Sequence, residues 1–373
     1  MKKKRPRRRA ASRAPASPAH PPVIEINPEF QRALDVMEKT GKNIFITGKA
    51  GTGKSTLLDY FRNATRKKVA VLAPTGVAAL NVLGQTIHSF CRFKPDITLD
   101  KVKMISGKGS ALYKNLHAVI IDEVSMVRAD LLDCVEKFLR LNGPHPRKRF
   151  GGLQMILIGD LYQIPPVVTS AEQKVFSTQY ESPYFFSSHI FNDPEFDMEF
   201  VELEKIYRQT EEDFIELLNA IRNRSVTEDD IGRLNRRFDP EFIPPDDDFY
   251  IQLTSTNDLA YKRNQEKLAQ LPGRVHRYQG FRRGEFDKSH LPTDELLDLK
   301  PGAQVMMVNN DSNSRWVNGS IGRIIGIEKV PSMPDVLTVE LRDGLEVEVE
   351  PYTWELFKLD FDQQAGKLFS EKR

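Results

Sequence analysis

Residues Phe45 to Phe61 read FITGKAGTGKSTLLDYF, and the rest of the chain is best read outward from them. An apolar strand pattern passes through a glycine-rich turn into a helical pattern. Gly48, Gly53, Lys54 and Ser55 fit the spacing G-x-x-x-x-G-K-[ST]. Glycines let the backbone N–H groups of such a turn close around phosphates. The lysine then neutralises the outer phosphates, and the hydroxyl reaches Mg²⁺. The expected nucleotide contacts are Gly48, Ala50, Gly51, Thr52, Gly53, Lys54, Ser55 and Thr56. The competing reading, a glycine-rich turn without a nucleotide, does not explain why a strand precedes it and a helix follows.

Four short runs, NIFITG, VAVLAPTG, AVIIDE and MILIGD, are apolar on consecutive positions and end in polar or glycine-rich turns. That pattern suits strands buried on both faces. Helical patterns such as ADLLDCVEKFLRL lie between them. The expected fold is therefore α/β, a parallel sheet covered by helices, with its site at the carboxyl ends of the strands. Those ends carry Gly48, Pro74 to Gly76, Asp122 with Glu123, and Gly159 with Asp160. An acid at the tip of a buried strand can hold Mg²⁺, as Asp122 would, and Glu123 beside it is placed to activate water. Adjacent acids more often sit on a solvated surface, so the strand before them and the phosphate loop upstream carry this reading. Gln163, three residues after Asp160, can bond both a γ-phosphate and the attacking water. The stretch APTGVAALNVLGQTIHSF offers hydroxyl and imidazole donors in a small turn, suited to a nucleic acid backbone. Gln31 can read the edge of adenine with both amide groups.

A second region begins near Tyr207. EDFIELLNAIRNR reads as an amphipathic helix, and YIQLTST and AQVMMVNN as strands. The last fifty or so residues read as short strands, with Asp343-Gly344 as a hairpin turn, and suggest a small β-barrel.

Of 373 residues, 40% are hydrophobic and 28% charged, enough apolar material for two or three cored domains. Two cysteines, Cys91 and Cys134, are too few for a disulfide framework, and a reducing intracellular compartment is expected, cytoplasmic, nucleoid or nuclear. No apolar run approaches a membrane span. Met1 to Arg13 carries eight Lys or Arg and no acid, which leaves the remaining chain net acidic. The Pro-, Ala- and Ser-rich run to Pro22 predicts a disordered basic tail over residues 1–24. Two readings of the tail stay open: a solubilising segment, or nonspecific affinity for nucleic acid with a salt slope of at most about −6 on single strands.

Taken together, Gln31 in NPEFQ, GKAGTGKST, APTGVAALNVLGQTIHSF, IDEVSM, GDLYQIPPV, IYRQTEEDFIELLNAIR, LTSTNDLAYKRNQEKL and the LKPGAQVMMVNND to VNGSIG segment resemble the PIF-type DNA helicases of superfamily one, class B, relatives of RecD and Dda. The resemblance runs from about Asn27 to the C-terminus. It implies an ATP- and Mg²⁺-dependent motor that moves 5′ to 3′ on single-stranded DNA and unwinds duplex or forked DNA. It implies a RecA-like domain 1A over 25–205 with a small 1B insertion near 92–115. A partial RecA-like domain 2A would cover 206–322 and an SH3-like 2B domain 323–373.

By the same resemblance, Gln31 selects adenine and Lys54 and Ser55 hold MgATP. Asp122 sits on the metal, Glu123 is the base and Gln163 senses the γ-phosphate. Arg208 in YRQ is the arginine that the second domain lends to the transition state, against its reading as a surface arginine. Pro74, Thr75, Gly76, His88, Ser89, Asn257 and Asn318 are the implied DNA contacts; for His88 a packed core histidine stays open. Trp316 stands where the family has a shorter apolar residue, either to stack on a base or to pack. The family's returning motifs after the barrel are not found. Three expectations follow: a fragment, a split gene completed by a C-terminal polypeptide, or a nucleotide-binding remnant. A small-molecule kinase or GTPase is the remaining class, and no guanine-recognition motif supports it.

Overall fold

A computed structural model describes residues 26–94, 96–169, 172–173, 176–207, 212–245, 248–282, 291–313, 315–329, 334–354, 357–362 and 367–372. The basic tail and Arg208 lie outside the described residues.

The consecutive apolar runs form the centre of a six-stranded sheet. Its strands are β1 (Asn43–Gly48), β2 (Val69–Ala73), β3 (Gln85–Thr86), β4 (Ala118–Ile121), β5 (Gln154–Ile158) and β6 (Met198–Leu203), in the order β3-β2-β4-β5-β1-β6. Every neighbouring pair is parallel. All of β4 and β5 is buried, as parallel strands covered on both faces must be. Successive residues feed opposite cores. Ile44, Ile46, Ile120, Ile156 and Ile158 pack beneath α1 (Pro28–Lys39) and α2 (Lys54–Ala64). Phe45, Val119, Ile121, Met155 and Leu157 pack beneath α4 (Ile87–Cys91) and α6 (Ala129–Asn142). The short helices α3 (Gly76–Asn81) and α5 (Ser110–Lys114) complete the unit.

Local chemistry sets the helix ends. Asn27 caps α1 by accepting from the Phe30 N–H at 2.8 Å, with Pro28 in the first turn. The Lys67 ammonium closes the other end, donating to the carbonyls of Met37 and Thr40 and to the Gln154 side chain. Part of the segment 92–115 packs into the main core. Val102, Leu112 and Tyr113 are buried in it, and the Tyr113 hydroxyl donates to the Phe90 carbonyl at 2.7 Å.

The second region carries α7 (Glu212–Arg222), α8 (Glu228–Asn235), α9 (Asn257–Gln270) and the antiparallel pair β7 (His276–Gln279) and β8 (Leu296–Leu299). A capping box between Thr227 and Asp230 starts α8. Tyr250 to Thr256, expected as a strand, form no ladder among the described residues, and Ile251 and Leu253 stay exposed. The β-pattern there is real, but a strand needs a neighbour to persist.

A four-stranded antiparallel sheet follows, from β9 (Gln304–Met306), β10 (Ile321–Glu328), β11 (Val336–Leu341) and β12 (Glu346–Val349). Gly344, at φ 82°, turns the expected Asp343-Gly344 hairpin between the last two. Because β9 pairs with β10, the sheet and its core begin near Ala303, ahead of the 322/323 boundary expected from sequence. The hairpin β13 (Phe357–Asp362) and β14 (Lys367–Lys372) ends the described chain.

Trp316 resolves in favour of packing. It is 8% exposed at the centre of this core, with Ile324, Val339, Leu341 and Val347, and the Arg315 guanidinium lies 4.6 Å from its ring centroid. Trp316→Ala is expected to destabilise this module by about 3–5 kcal/mol. Urea unfolding followed by fluorescence of the remaining Trp354 would check it.

Candidate functional site

The sheet order places three chemically loaded tips side by side. The turn after β1 carries the phosphate loop, that after β5 carries Asp160, and that after β4 carries Asp122 and Glu123. β2 and β3 follow on the β4 side, so the tips that carry Thr75 and His88 continue the same edge.

Gly48 ends β1 at φ 153°, and a Cβ there would meet the Leu203 carbonyl at 2.5 Å and Thr52 Oγ1 at 2.7 Å. Only glycine lets the loop turn this tightly against β6. Thr52 is buried, and its hydroxyl donates to the Lys49 carbonyl at 2.9 Å. α2 begins after Gly53 with no side-chain cap, so its first-turn N–H groups remain free for an anion. Ala50, Ser55 and Thr56 are exposed at the mouth of the loop. Lys54 Nζ donates to the carbonyls of Gly48 at 2.7 Å and Lys49 at 3.0 Å. Burial pushes its pKa down, opposed by the charges of Asp160 and Glu123. A phosphate would supply the charge this half-buried ammonium lacks.

Asp122 is 9% exposed and has no salt-bridge partner among the described residues. Burial, reinforced by Glu123, raises its pKa to about 6. Glu123 adopts a left-handed conformation, φ 51° and ψ 40°, and leads into a 3₁₀ turn over Val124–Met126. Such a backbone costs on the order of 1 kcal/mol or more for a residue with a side chain. Gly159 makes room for the turn, since a Cβ there would lie 3.1 Å from the N atoms of Val124 and Ser125.

Asp160 is 1% exposed and gathers the third tip around itself. Its carboxylate accepts from the Tyr162 N–H at 3.1 Å and from Gln163 Nε2 at 3.1 Å. It also accepts from Arg222 Nη1 at 2.7 and 2.8 Å, and that guanidinium lies 4.1 Å from the Tyr162 ring centroid. Burial would raise the Asp160 pKa, but the hydrogen bonds, that of Arg222 foremost, hold it below the usual value. Arg222 was read from sequence only as part of an amphipathic helix. Nothing in its local pattern pointed to a partner 62 residues away. Tyr207 was likewise missed. Its N–H donates to the Gly51 carbonyl at 2.9 Å, and its ring lies 3.9 Å from where a Gly53 Cβ would be.

Gln31 is exposed on α1, its amide donating to Asp35 at 2.8 Å. Thr75 caps α3 and accepts from the Ala78 N–H, while Pro74 and the buried Gly76 shape its turn. His88 lies half-buried in α4, edge-on to Phe93, and burial lowers its pKa, which keeps the ring neutral at pH 7. Ser89 follows it, its N–H held by Thr86. Asn318 reaches this end of the sheet: its amide donates to Asn81 Oδ1, at the end of α3, at 2.8 Å. Asn257, the first residue of α9, is exposed and shows no contact to the first sheet among the described residues.

Residues 28–231 match the family model described as PIF1-like helicase. The chain is similar to the ATP-dependent DNA helicase PIF1 of Saccharomyces cerevisiae, at 34% identity over 79% of this chain and 35% of that protein. It therefore spans about a third of the length of that curated relative. Among solved structures it resembles Pif1 from Bacteroides in complex with ADP-AlF4, at 32% identity and a TM-score of 0.83, covering 94% of this chain and 79% of the other. The Bacteroides Pif1 bound to single-stranded DNA aligns over the same shares with a TM-score of 0.62. No helix of the described residues is long and apolar enough to cross a membrane.

Proposed function

The chain belongs to the PIF1-like helicase family, and on that premise we propose that it is an ATP-hydrolysing DNA motor that walks 5′ to 3′ on single strands and opens duplex or forked DNA ahead. One observation carries the reading. The phosphate loop, the Asp122-Glu123 pair and Asp160 with Gln163 share one sheet edge with the Thr75 and His88 tips. On this reading, cleavage of a triphosphate and the grip on a polynucleotide belong to neighbouring strand tips. A motor needs its binding energy to differ between nucleotide states, and adjacency is the simplest way to arrange that.

The roles are proposals resting on this placement. Lys54 and the first-turn N–H groups of α2 hold the β- and γ-phosphates, and Glu123 takes the proton of the attacking water. Gln163 orients that water, Gln31 reads adenine, and Tyr207 covers the loop. Ser55 and Asp122 are an all-oxygen pair suited to Mg²⁺, and the buried Asp122 carboxylate, without a salt-bridge partner among the described residues, is the feature a cation would relieve. When bound, the ion would neutralise charge building on the phosphate oxygens. Arg208 is proposed to lend its charge from the second region. Thr75, His88, Ser89 and Asn318 are proposed to touch the DNA backbone, with Pro74 and Gly76 shaping the turn and Asn257 adding a contact from α9. A neutral His88 would act as a hydrogen-bond donor, not as a cation. Cys91 and Cys134 are buried free thiols, compatible with the reducing interior proposed for a DNA-acting protein.

A second reading is favoured by exposed Ile251 and Leu253: a DNA-dependent ATPase that unwinds only when a further polypeptide covers that surface.

The test is steady-state ATP turnover of this chain with and without a single-stranded oligonucleotide, beside unwinding of duplexes bearing 5′ or 3′ tails. We expect turnover to rise at least about tenfold with DNA and to need Mg²⁺. Identical rates with and without oligonucleotide would refute the motor. Stimulated turnover without unwinding would select the second reading.

A further inference from the structure

Beyond the residues given roles above, Arg222 is a charged side chain held tightly against the site. It closes the last turn of α7, in the second region, yet only 13% of its side chain is exposed because it is laid into the first domain. One nitrogen bridges both oxygens of Asp160 at 2.7 and 2.8 Å, while the guanidinium carbon lies over the Tyr162 ring, 4.1 Å from its centroid. The same carboxylate accepts from Gln163 Nε2. Arg222, Asp160 and Gln163 therefore form one chain of hydrogen bonds that starts on a second-region helix and ends at the amide proposed to meet the γ-phosphate.

Asp160 is pinned from three sides, by Arg222, by the Tyr162 N–H and by Gln163. Without the guanidinium, a carboxylate this buried would be left short of charge compensation. It would reorient or take up a proton, and the position of Gln163 would follow. Conversely, a γ-phosphate that draws the Gln163 amide away removes one donor from Asp160. That alters the balance holding Arg222, and α7 carries the change into the second region.

We propose that Arg222 is a positioning residue: acting through Asp160, it sets the Gln163 amide for hydrolysis and links the γ-phosphate end of the site to the second region. This rests on the motor reading but concerns ATP turnover itself, which is measurable without DNA.

The experiment is a double-mutant cycle on the 373-residue chain with Arg222→Met, Gln163→Ala and the double variant. The rescue variant Arg222→Lys is included, with kcat and KM for ATP measured with and without oligonucleotide. Arg222→Met is expected to lower kcat by about 10- to 100-fold, the scale of a misplaced catalytic group, with KM within about threefold. Arg222→Lys should recover part of the loss. The double variant should turn over no more slowly than Gln163→Ala alone, because both changes act through one amide. Turnover of Arg222→Met within twofold of the parent, or losses that multiply in the double variant, would overturn the proposal. If Arg222→Met melts below the assay temperature, Tyr162→Ala replaces it. That ring is 64% exposed, so its loss spares the core, and it is expected to slow turnover about three- to tenfold in the parent and not at all in Gln163→Ala. No slowing in the parent would overturn the proposal. Absence of DNA stimulation in the parent chain counts against the motor reading alone, since the cycle is still read on basal turnover.

Discussion

Glu123→Gln is expected to reduce ATP turnover by about 10²–10⁴, the contribution of a positioned general base, while nucleotide affinity stays within a few-fold. The substitution keeps the shape of the side chain and removes its basicity. The left-handed backbone at residue 123 is a cost that an ordinary strand end would avoid. That backbone places Glu123 directly after Asp122, at the strand tip beside the one that carries Asp160. Because Glu123 also raises the Asp122 pKa by its charge, the glutamine variant should bind Mg²⁺-nucleotide no worse than the parent. Turnover by quenched-flow and affinity by fluorescent ADP titration separate the two effects. A variant retaining a tenth or more of parental turnover would remove Glu123 from the proposed role.

Asp122→Asn is expected to produce opposite changes in stability and activity. The folded-state pKa of Asp122, about 6, lies above the ordinary value of 3.8. A raised carboxylate pKa means that the folded protein holds its proton more tightly than the unfolded chain. Stability therefore falls as pH climbs from 3.8 through 6, and the full penalty is present above that window. One pKa unit corresponds to about 1.4 kcal/mol, so the ceiling is about 3 kcal/mol. Asparagine cannot ionise and escapes the penalty. The nucleotide-free variant should melt several degrees above the parent at pH 8, with a smaller gain at pH 5. With MgADP the order should reverse if Asp122 holds the ion as proposed, because the parent then gains stability from the bound ion and nucleotide while the variant lacks that carboxylate. ATP turnover should fall about 10²-fold or more. Thermal melts at the two pH values, with and without MgADP, check all of this. An asparagine variant less stable than the parent at pH 8 without nucleotide would show that Asp122 is not held against its charge.

Much of the first domain was legible before any coordinates. Consecutive apolar residues in β1, β4 and β5 reported burial on both faces, and the glycine spacing placed the turn that Gly48 makes against Leu203. β6, not expected from the sequence, lies at the sheet edge, and Glu199 and Glu202 interrupt MEFVEL so that it lacks the continuous apolar run of its neighbours. Tyr250 to Thr256 differ the other way: the residues favour a strand, and no partner strand lies beside them among the described residues.

What the sequence by itself determined is therefore what local chemistry controls: strand and helix periods, the hairpin at Gly344, and the glycine-rich turn between β1 and α2. Only the tertiary structure decided that Arg222 would bridge to Asp160, that Asn318 would reach Asn81 across 237 residues, that Trp316 would be core, and that β9 would join the sheet ahead of the expected boundary. The physical reason is range. Period, capping and turn preference act over a few residues and leave a mark in each segment, whereas an ion pair or a shared core depends on where distant segments come to rest, which no single segment encodes.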